Sequence, residues 1–137
     1  MLLTVKTDLT YSLDELKKVT WGCLKDCQVV FLATVDGDRP RVRPVTLLRK
    51  GDDLFTVSRL RSSKVKQIMK NPRVEFAFSV SNAGFNSIRV ECMAEVVNDK
   101  KVKAEVYDSP EHDLIRLVPT RFIVIIPPSF EPVTLSA

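Results

Sequence analysis

Two extended runs joined by a tight turn lie in the first half of the chain, in the stretch Val29-Val-Phe-Leu-Ala-Thr-Val-Asp-Gly-Asp-Arg-Pro-Arg-Val-Arg-Pro-Val-Thr-Leu-Leu48. Residues 29–35 are all β-branched or apolar, Asp36-Gly-Asp38 is a turn signal, and the next extended run begins at Pro40. This pattern predicts a β-hairpin. A third run over 54–58 follows a second turn after Gly51, so the sequence predicts three consecutive antiparallel strands in a meander.

Capping signals place short helices around these strands. Ser12 and Glu15 form a capping box ahead of apolar residues at helical spacing, which predicts a helix from 13 to about 25. Ser62-Ser63 can cap a second helix that ends before Pro72, because the residue before a proline avoids the helical region. Apolar alternation and a charged helical run predict the remaining elements: strands over 73–80, 88–97 and 121–126, and a helix over 99–107.

Short, evenly punctuated strands without strict strand–helix alternation favour an antiparallel barrel over a doubly wound sheet. About six strands and a few short helices are expected. At 137 residues the chain is predicted to form one domain over 1–137, long enough to bury a core without disulfides or a metal. Residues 129–137 carry weak structural signals, and we expect them to lie along a partner subunit or to fray.

Composition and charge limit the classes of function. Apolar residues make up 45% of the chain and charged residues 28%, as in ordinary globular domains. The net charge of +4, from 21 basic and 17 acidic residues, favours anionic ligands without requiring a polyanion. No apolar run approaches the roughly 18 residues that span a bilayer, and the N-terminus lacks a signal-peptide pattern. We therefore expect a cytoplasmic protein without membrane association.

The three cysteines and the single histidine form no recognisable disulfide or metal pattern. An odd cysteine count without a secretory signal argues against a disulfide framework. Cys23 and Cys27, four residues apart on a predicted helix, are expected to be core residues, because free cysteine is often buried and structural zinc needs four ligands. His112 lies in a polar segment and is expected to face solvent. No metal is predicted, and the dinucleotide, phosphate-loop and zinc-protease motifs are absent from the sequence.

Ser62, Ser63 and Lys64 bring together the donor types that a phosphate needs. These are amides at a helix N-terminus, hydroxyl groups and a basic side chain. The same triplet can instead be an ordinary cap with a surface lysine. Pro44, inside the second predicted strand, lacks a ladder donor and so belongs at a sheet edge or beside a ligand. Alternation also places three arginines on one side of that strand, where they either face solvent or lie near the ligand: Arg41, Arg43 and Arg49.

In their order and spacing these elements resemble the pyridoxamine 5'-phosphate oxidase-like, FMN-binding split β-barrels. The resemblance covers about residues 29–97 and rests on these segments: Phe31-Leu-Ala-Thr-Val35, Asp36-Gly37, Pro40, Arg43-Pro-Val45, Phe55-Thr-Val-Ser58, Ser63-Lys64 and Asn71-Pro-Arg-Val74. It implies a mainly β fold, a six-stranded antiparallel split barrel of Greek-key type with a few short flanking helices. It also implies a homodimer with FMN in the cleft between the subunits.

The resemblance assigns expected roles to individual residues. The flavin ring would be lined by Arg43, Pro44, Val45 and Thr46. The ring and the ribityl chain would be bordered by Thr56, Val57 and Ser58. The phosphate would be bound by Ser62, Ser63 and Lys64, and the partner's flavin would be reached by Asn86.

The chain also departs from the family pattern. Many members carry an arginine–lysine pair at the phosphate, where this chain has Ser63-Lys64 and so one positive charge fewer. No pyridoxal-phosphate substrate site is recognisable over 110–137, so pyridoxamine phosphate oxidation is not expected. The resemblance implies an FMN-dependent oxidoreductase that passes hydride or electrons to a small-molecule acceptor. No catalytic residue is assigned, because the cofactor would supply the chemistry.

Two other interpretations remain open from the sequence. The chain can be a non-catalytic module that binds a flavin, a deazaflavin or haem, because fold alone does not fix function. The basic stripe and a pI near 9.1 also allow nucleic-acid binding. The aromatic residues Phe55, Phe76 and Phe78 fit apolar core faces better than an exposed stacking platform, so no nucleic-acid partner is expected.

Overall fold

The computed structural model describes residues 11–80, 87–126 and 130–137. These residues form seven strands and three short helices. In chain order the elements are α1 (Leu13–Gly22), β1 (Gln28–Asp36), β2 (Arg39–Lys50), β3 (Asp53–Arg59), α2 (Ser63–Lys70), β4 (Arg73–Ser79), β5 (Ser87–Val97), α3 (Lys100–Val106), β6 (His112–Ile125) and β7 (Pro132–Ser136).

Six of the strands close into an antiparallel barrel. The strand order is β3-β2-β1-β4-β5-β6, and β3 pairs in turn with β6. After the β1-β2-β3 meander the chain passes through α2 and returns as β4 beside β1, which is the strand order of a Greek key. The prediction of a mainly β, six-stranded antiparallel Greek-key barrel with short flanking helices is therefore confirmed.

Glycines at two hairpin turns permit the tight connections of the meander. Asp36 pairs with Arg39 across the β1–β2 turn, which leaves a two-residue loop in which Gly37 has a φ of +65°. The β2–β3 turn has the same length, and Gly51 there has a φ of +60°. Left-handed backbone of this kind favours glycine and matches the twist of the paired strands.

Side chains that alternate along the barrel strands point inward and form the main core. Helix α1 contributes Leu16 to this core, and α2 contributes Val65 and Ile68. Both helices therefore pack their apolar faces against the barrel interior. A smaller cluster lies beneath α3, where Phe55 packs with Val97 and Leu114. The buried strand residues of the main core include Val30, Leu32, Leu47, Phe76, Ile88, Val90, Ile115, Leu117, Phe122 and Val124.

Strand β6 is longer than predicted, because it continues through a segment that a proline interrupts. The sequence predicted a strand over 121–126, whereas β6 spans His112–Ile125. Glu91 pairs with Arg121 but Cys92 pairs with Pro119, so Thr120 is an extra residue in a β-bulge. Its hydroxyl donates to the carbonyl of Glu91 at 3.0 Å. The bulge lets the strand continue past Pro119. Apolar alternation in the sequence does not predict a bulge.

Strand β7 and the cysteines differ from expectation as well. Residues 132–136 form β7, which pairs with the second half of β6 in the same chain, and the sequence did not predict this strand. Helix α1 ends at Gly22, and Cys27 lies beyond it, exposed, with a φ of +59°. The prediction that Cys27 is a core residue is wrong, because the helix stops before reaching it. Cys23 is half-buried, and Cys92 is buried in the barrel.

Arg49, near the end of β2, ties the barrel to the C-terminal end of α1. Its Nη1 donates to the carbonyl oxygens of Trp21 at 2.6 Å and Leu24 at 2.8 Å, and its Nε donates to that of Gly51 at 2.7 Å. The guanidinium also lies 5.3 Å from the centre of the Trp21 ring. The last carbonyls of a helix lack partners within it, so Arg49 satisfies groups that would otherwise need water. This arginine therefore has a structural role.

Replacing Arg49 is expected to destabilise the protein. Arg49→Met removes several charge-assisted hydrogen bonds, and we expect the free energy of unfolding to fall by about 2 kcal/mol. Arg41→Met is the matched control, because Arg41 lies on the same strand and forms only an exposed ion pair with Asp36 at 3.4 Å. Its loss is expected to cost less than about 0.5 kcal/mol. Urea denaturation measures both, and equal losses for the two variants would contradict the assignment.

Candidate functional site

Arg43 is half-buried on the inner side of β2, where three uncharged oxygen acceptors hold its guanidinium. Its Nη1 donates to the hydroxyl of Thr34 on β1 at 2.7 Å and approaches the carbonyl of Leu32 at 3.4 Å. Its Nη2 donates to Oε1 of Gln67 on α2 at 3.0 Å. Thr34 in turn donates to the same Gln67 oxygen at 2.6 Å. The network joins two strands and a helix around one cation.

A second cluster forms where β3 passes into α2. Ser58, at the end of β3, is buried, and its hydroxyl lies 2.6 Å from that of Ser62. The ammonium of Lys64 donates to the Ser58 hydroxyl at 3.0 Å. Ser62 is the N-cap of α2 and accepts the amide of Val65, as the sequence predicts. Two hydroxyls and an ammonium therefore meet at a helix N-terminus, a geometry that suits an anion.

The two clusters are electrostatically coupled. Burial, and secondarily the nearby charge of Arg43, lowers the pKa of Lys64 below its ordinary value. Burial, followed by repulsion from Arg41, likewise lowers the pKa of Arg43. Neither Arg43 nor Lys64 forms an ion pair within the part of the chain that the structure describes. Their charged forms are thus less favourable than in water, and an anion bound between them would raise both pKa values again.

A short turn between β3 and α2 positions these groups. Arg61 has a φ of +55°, which is unusual for a residue other than glycine. Its amide donates to a carboxylate oxygen of Asp113 at 3.0 Å, and the amide of Leu60 donates to the carbonyl of Glu111 at 3.0 Å. The start of β6 and the residues before it therefore hold the turn in place. Ser62 follows directly, so this contact determines where α2 begins.

The structure distributes the other predicted site residues over both sides of the barrel wall. Thr56 is buried, and its hydroxyl donates to the carbonyl of Thr46 at 2.8 Å. Val57 packs outside the barrel in the cluster beneath α3. Val45 belongs to the main core, whereas Pro44 and Thr46 are exposed on the outer face of β2 and Ser63 is exposed on α2. Asn86 lies outside the described residues, and its expected contact with a partner's flavin stays a prediction.

Sequence reasoning missed Thr34, Gln67 and Asp113. Thr34 looks like an ordinary strand residue, and Asp113 lies in a segment whose only signal is its polar composition. Gln67 carried a usable signal, because it follows Lys64 by three residues and so shares a face of the helix with it. The predicted stripe of three arginines is not continuous, since the core residues Val45 and Leu47 separate Arg43 from Arg49.

His112 is half-buried and not fully solvent-facing as expected. Its Nδ1 lies 2.9 Å from the hydroxyl of Ser109, and its ring meets the edge of Tyr107 with centroids 5.6 Å apart. These contacts fix the beginning of β6 next to Arg59, its pairing partner on β3. The histidine therefore stabilises the segment that holds the β3–α2 turn.

An apolar patch covers the outer face of β1 and β2. Val29, Phe31 and Val42 are 62%, 54% and 66% exposed, although they lie in the middle of the sheet. Phe31 pairs with Pro44 and Ala33 pairs with Val42 across the two strands, so the patch is contiguous. We call it the outer β1–β2 face. Large exposed apolar side chains grouped in this way mark interaction surfaces more often than isolated ones do.

A cleft of about 390 Å³ lies beside the β1–β2 hairpin, and its lining includes Thr34 of the Arg43 network. Residues from β1, β2, β4, β5 and β6 border it, including Val35, Pro40, Glu75 and Met93. None of the residues predicted to bind a cofactor lines this cleft.

In the described part of the chain, no group of three histidine, cysteine or acidic side chains is arranged to hold a metal. No described helix has the length and apolarity needed to cross a membrane.

A closed Greek-key barrel with a helix inserted between β3 and β4 defines the split-barrel class. Residues 16–127 match the family model described as pyridoxamine 5'-phosphate oxidase, and the chain belongs to this family. The resemblance drawn from the sequence is therefore confirmed. No curated protein matches the sequence.

Solved structures agree with this fold. A Listeria innocua protein described as a candidate pyridoxamine 5'-phosphate oxidase is 25% identical with a TM-score of 0.70, over 81% of this chain and 98% of that one. General stress protein 26 from Bacillus anthracis is 19% identical with a TM-score of 0.70, over 89% and 98% of the two chains. An FAD-binding protein from Mesorhizobium loti is 20% identical with a TM-score of 0.60, over 82% and 90%. The similarity to the Bacillus anthracis and Mesorhizobium loti proteins shows a shared fold alone.

The contact between Asp113 and the β3–α2 turn can be tested by hydrogen exchange. Asp113→Ala leaves the Arg61 amide without its acceptor, so we expect faster exchange at Arg61 and a loss of about 1 kcal/mol in stability. Asp113→Asn keeps an oxygen acceptor and is expected to retain most of the protection. Unchanged exchange at Arg61 in the alanine variant would show that the carboxylate does not hold the turn.

Proposed function

We propose that this protein binds FMN, with the flavin phosphate between Lys64 and Arg43. The observation that carries the proposal is the pair of half-buried cations without an acidic partner among the described residues, next to the hydroxyls of Ser58 and Ser62. Charge-assisted hydrogen bonds from such groups contribute roughly 1.5–3 kcal/mol each. Membership of the pyridoxamine 5'-phosphate oxidase family supports a flavin as the ligand.

The charge of the site favours a terminal phosphate over a phosphate diester. A phosphate monoester carries about −1.5 to −2 charges at neutral pH, which matches two cations. A diester phosphate, as in FAD or a deazaflavin cofactor, carries only about one negative charge per group. The sequence has Ser63 where many members of the family have an arginine beside the lysine, and Arg43 of β2 is the second cation near Lys64. FMN places both charges on one phosphate group between the two cations, whereas FAD spreads its two charges over a diphosphate that also carries the adenosine.

We further propose that the flavin ring lies along the edge of β2, between Arg43 on its inner side and Pro44 and Thr46 on its outer side, at a subunit boundary. Pro44 and Thr46 are exposed there, and Pro44 adjoins the outer β1–β2 face through its pairing with Phe31. A second copy of the chain would bury this apolar face and enclose the ring. Such closure is consistent with a site whose cations are only half-buried in one protomer. The proposed assembly is a homodimer with the cofactor at the subunit interface.

The proposed activity is that of an oxidoreductase acting on a small-molecule acceptor in the cytoplasm. FMN supplies hydride and electron transfer when bound, and the chain's own residues bind the phosphate and orient the ring. Free thiols at all three cysteines agree with a reducing compartment. Reduction of the bound flavin by a nicotinamide donor would distinguish an enzyme from a passive flavin carrier.

Titration of the purified protein with FMN, riboflavin and FAD tests the cofactor proposal. We expect FMN to bind more tightly than either of the others, measured by quenching of flavin fluorescence. Lys64→Met should weaken FMN roughly 10- to 100-fold through loss of a charge-assisted bond, and should leave riboflavin nearly unchanged. Lys66→Met, at an exposed position of the same helix, is the control. Equal affinity for FMN and riboflavin would reject the phosphate site.

Light scattering after gel filtration tests the proposed dimer. Phe31→Asp places two like charges in the interface, so we expect monomers and weaker FMN binding. Met69→Asp alters another exposed apolar residue, on α2 and away from the outer β1–β2 face, and should leave the dimer intact. Circular dichroism confirms that both variants fold. A Phe31→Asp protein that remains dimeric would show that the subunits meet elsewhere.

A further inference from the structure

Gln67 is a nearly buried polar side chain at the centre of the Arg43 network. It is 9% exposed and lies on α2, one turn after Lys64. Its Oε1 accepts the Thr34 hydroxyl at 2.6 Å and the Arg43 guanidinium at 3.0 Å. Burying an amide without compensating bonds costs several kcal/mol in apolar surroundings. A glutamine placed here therefore depends on these two partners.

The orientation of the Gln67 amide follows from the chemistry of its partners. A guanidinium can only donate hydrogen bonds, so the atom that faces Arg43 must be the amide oxygen. An amide turned the other way would set its NH₂ group against the arginine donors. The hydroxyl of Thr34 accepts from Arg43 and donates to Gln67, which closes a ring of three hydrogen bonds. This ring restricts the guanidinium to one position.

The partners of Arg43 are notable because all of them are neutral. A buried arginine is usually paired with a carboxylate, which stabilises the cation and cancels its charge. Here a hydroxyl, an amide oxygen and a carbonyl oxygen take that place. Neutral acceptors fix the geometry of the guanidinium while leaving its full charge available. A glutamate at position 67 would bind Arg43 more strongly but would neutralise it.

We propose that Gln67 is a positioning and specificity-determining residue that selects a doubly charged phosphate group. It holds Arg43 within electrostatic reach of Lys64, and its neutrality keeps two positive charges for the ligand. The inference rests on the proposed flavin function and extends it, because it explains how the site would distinguish a terminal phosphate from a diester or from an unphosphorylated ring. Gln67 acts through Arg43 and is not itself a catalytic residue.

The test compares two variants with the same change of net charge. Gln67→Glu and Lys66→Gln each lower the charge by one on neighbouring residues of α2, but only position 67 is buried. The measured quantity is the ratio of the dissociation constants for riboflavin and FMN. We expect Gln67→Glu to reduce this ratio by about tenfold or more, since it removes roughly one charge-assisted interaction with the phosphate. Lys66→Gln should change it less than about threefold.

Nuclear magnetic resonance of arginine side chains gives a readout that does not depend on the flavin. In the ligand-free protein, the Arg43 guanidinium should show hindered rotation in the wild type and in Gln67→Glu. It should rotate more freely in Gln67→Leu, which keeps the bulk and removes the acceptor. A wild-type guanidinium that already rotates freely would overturn the proposal. An unchanged riboflavin-to-FMN ratio in Gln67→Glu would overturn it as well.

Failure of the inference is distinguishable from failure of the proposed function. If the wild type binds none of the flavins, the FMN proposal fails, and inorganic phosphate becomes the probe for position 67. Weaker phosphate binding in Gln67→Glu than in Lys66→Gln would then still support the role of Gln67. Equal phosphate binding in both variants would reject it. Thr34→Val, which removes another acceptor of Arg43, provides a second variant should Gln67→Glu fail to fold.

Discussion

The uncharged hydrogen-bond ring around Arg43 is the constraint on which the other features depend. Arg43 of β2 takes its partners from β1 and α2, so the hairpin and the helix must meet for the guanidinium to be satisfied. It also depends on strand register, because Leu32 pairs with Arg43 and Val42 with Ala33. A slip of one residue would turn Arg43 outward and expose the core face of the hairpin.

Helix α2 combines two functions because its residues face two environments. Val65 and Ile68 fill the barrel, while Lys64 and Gln67 turn toward the polar clusters. Helical spacing makes both possible within eight residues. The N-cap at Ser62 then places the helix dipole, two hydroxyls and an ammonium together at one point. The same segment thus supplies core packing and the polar groups of the candidate anion site.

Local signals allowed most of the fold to be predicted from the sequence, whereas the site was predicted only in part. The glycine turns, the caps at Ser12 and Ser62 and the alternating strands are all short-range patterns, and the structure contains each of them. The partners of Arg43 are not short-range, since Gln67 lies 24 residues away along the chain. The first half of β6 was missed because a β-bulge compensates for Pro119, and a bulge leaves no periodic signal.

The double role of α2 links folding to the supply of the ligand. A molecule that binds only the folded state at about a hundred times its dissociation constant adds about 2.7 kcal/mol of stability, and here it would do so through a helix that also packs into the barrel. Proteases in cells remove chains in proportion to the unfolded fraction. Under the proposed FMN function, the abundance of this protein should therefore follow the supply of flavin, because the empty form unfolds more often.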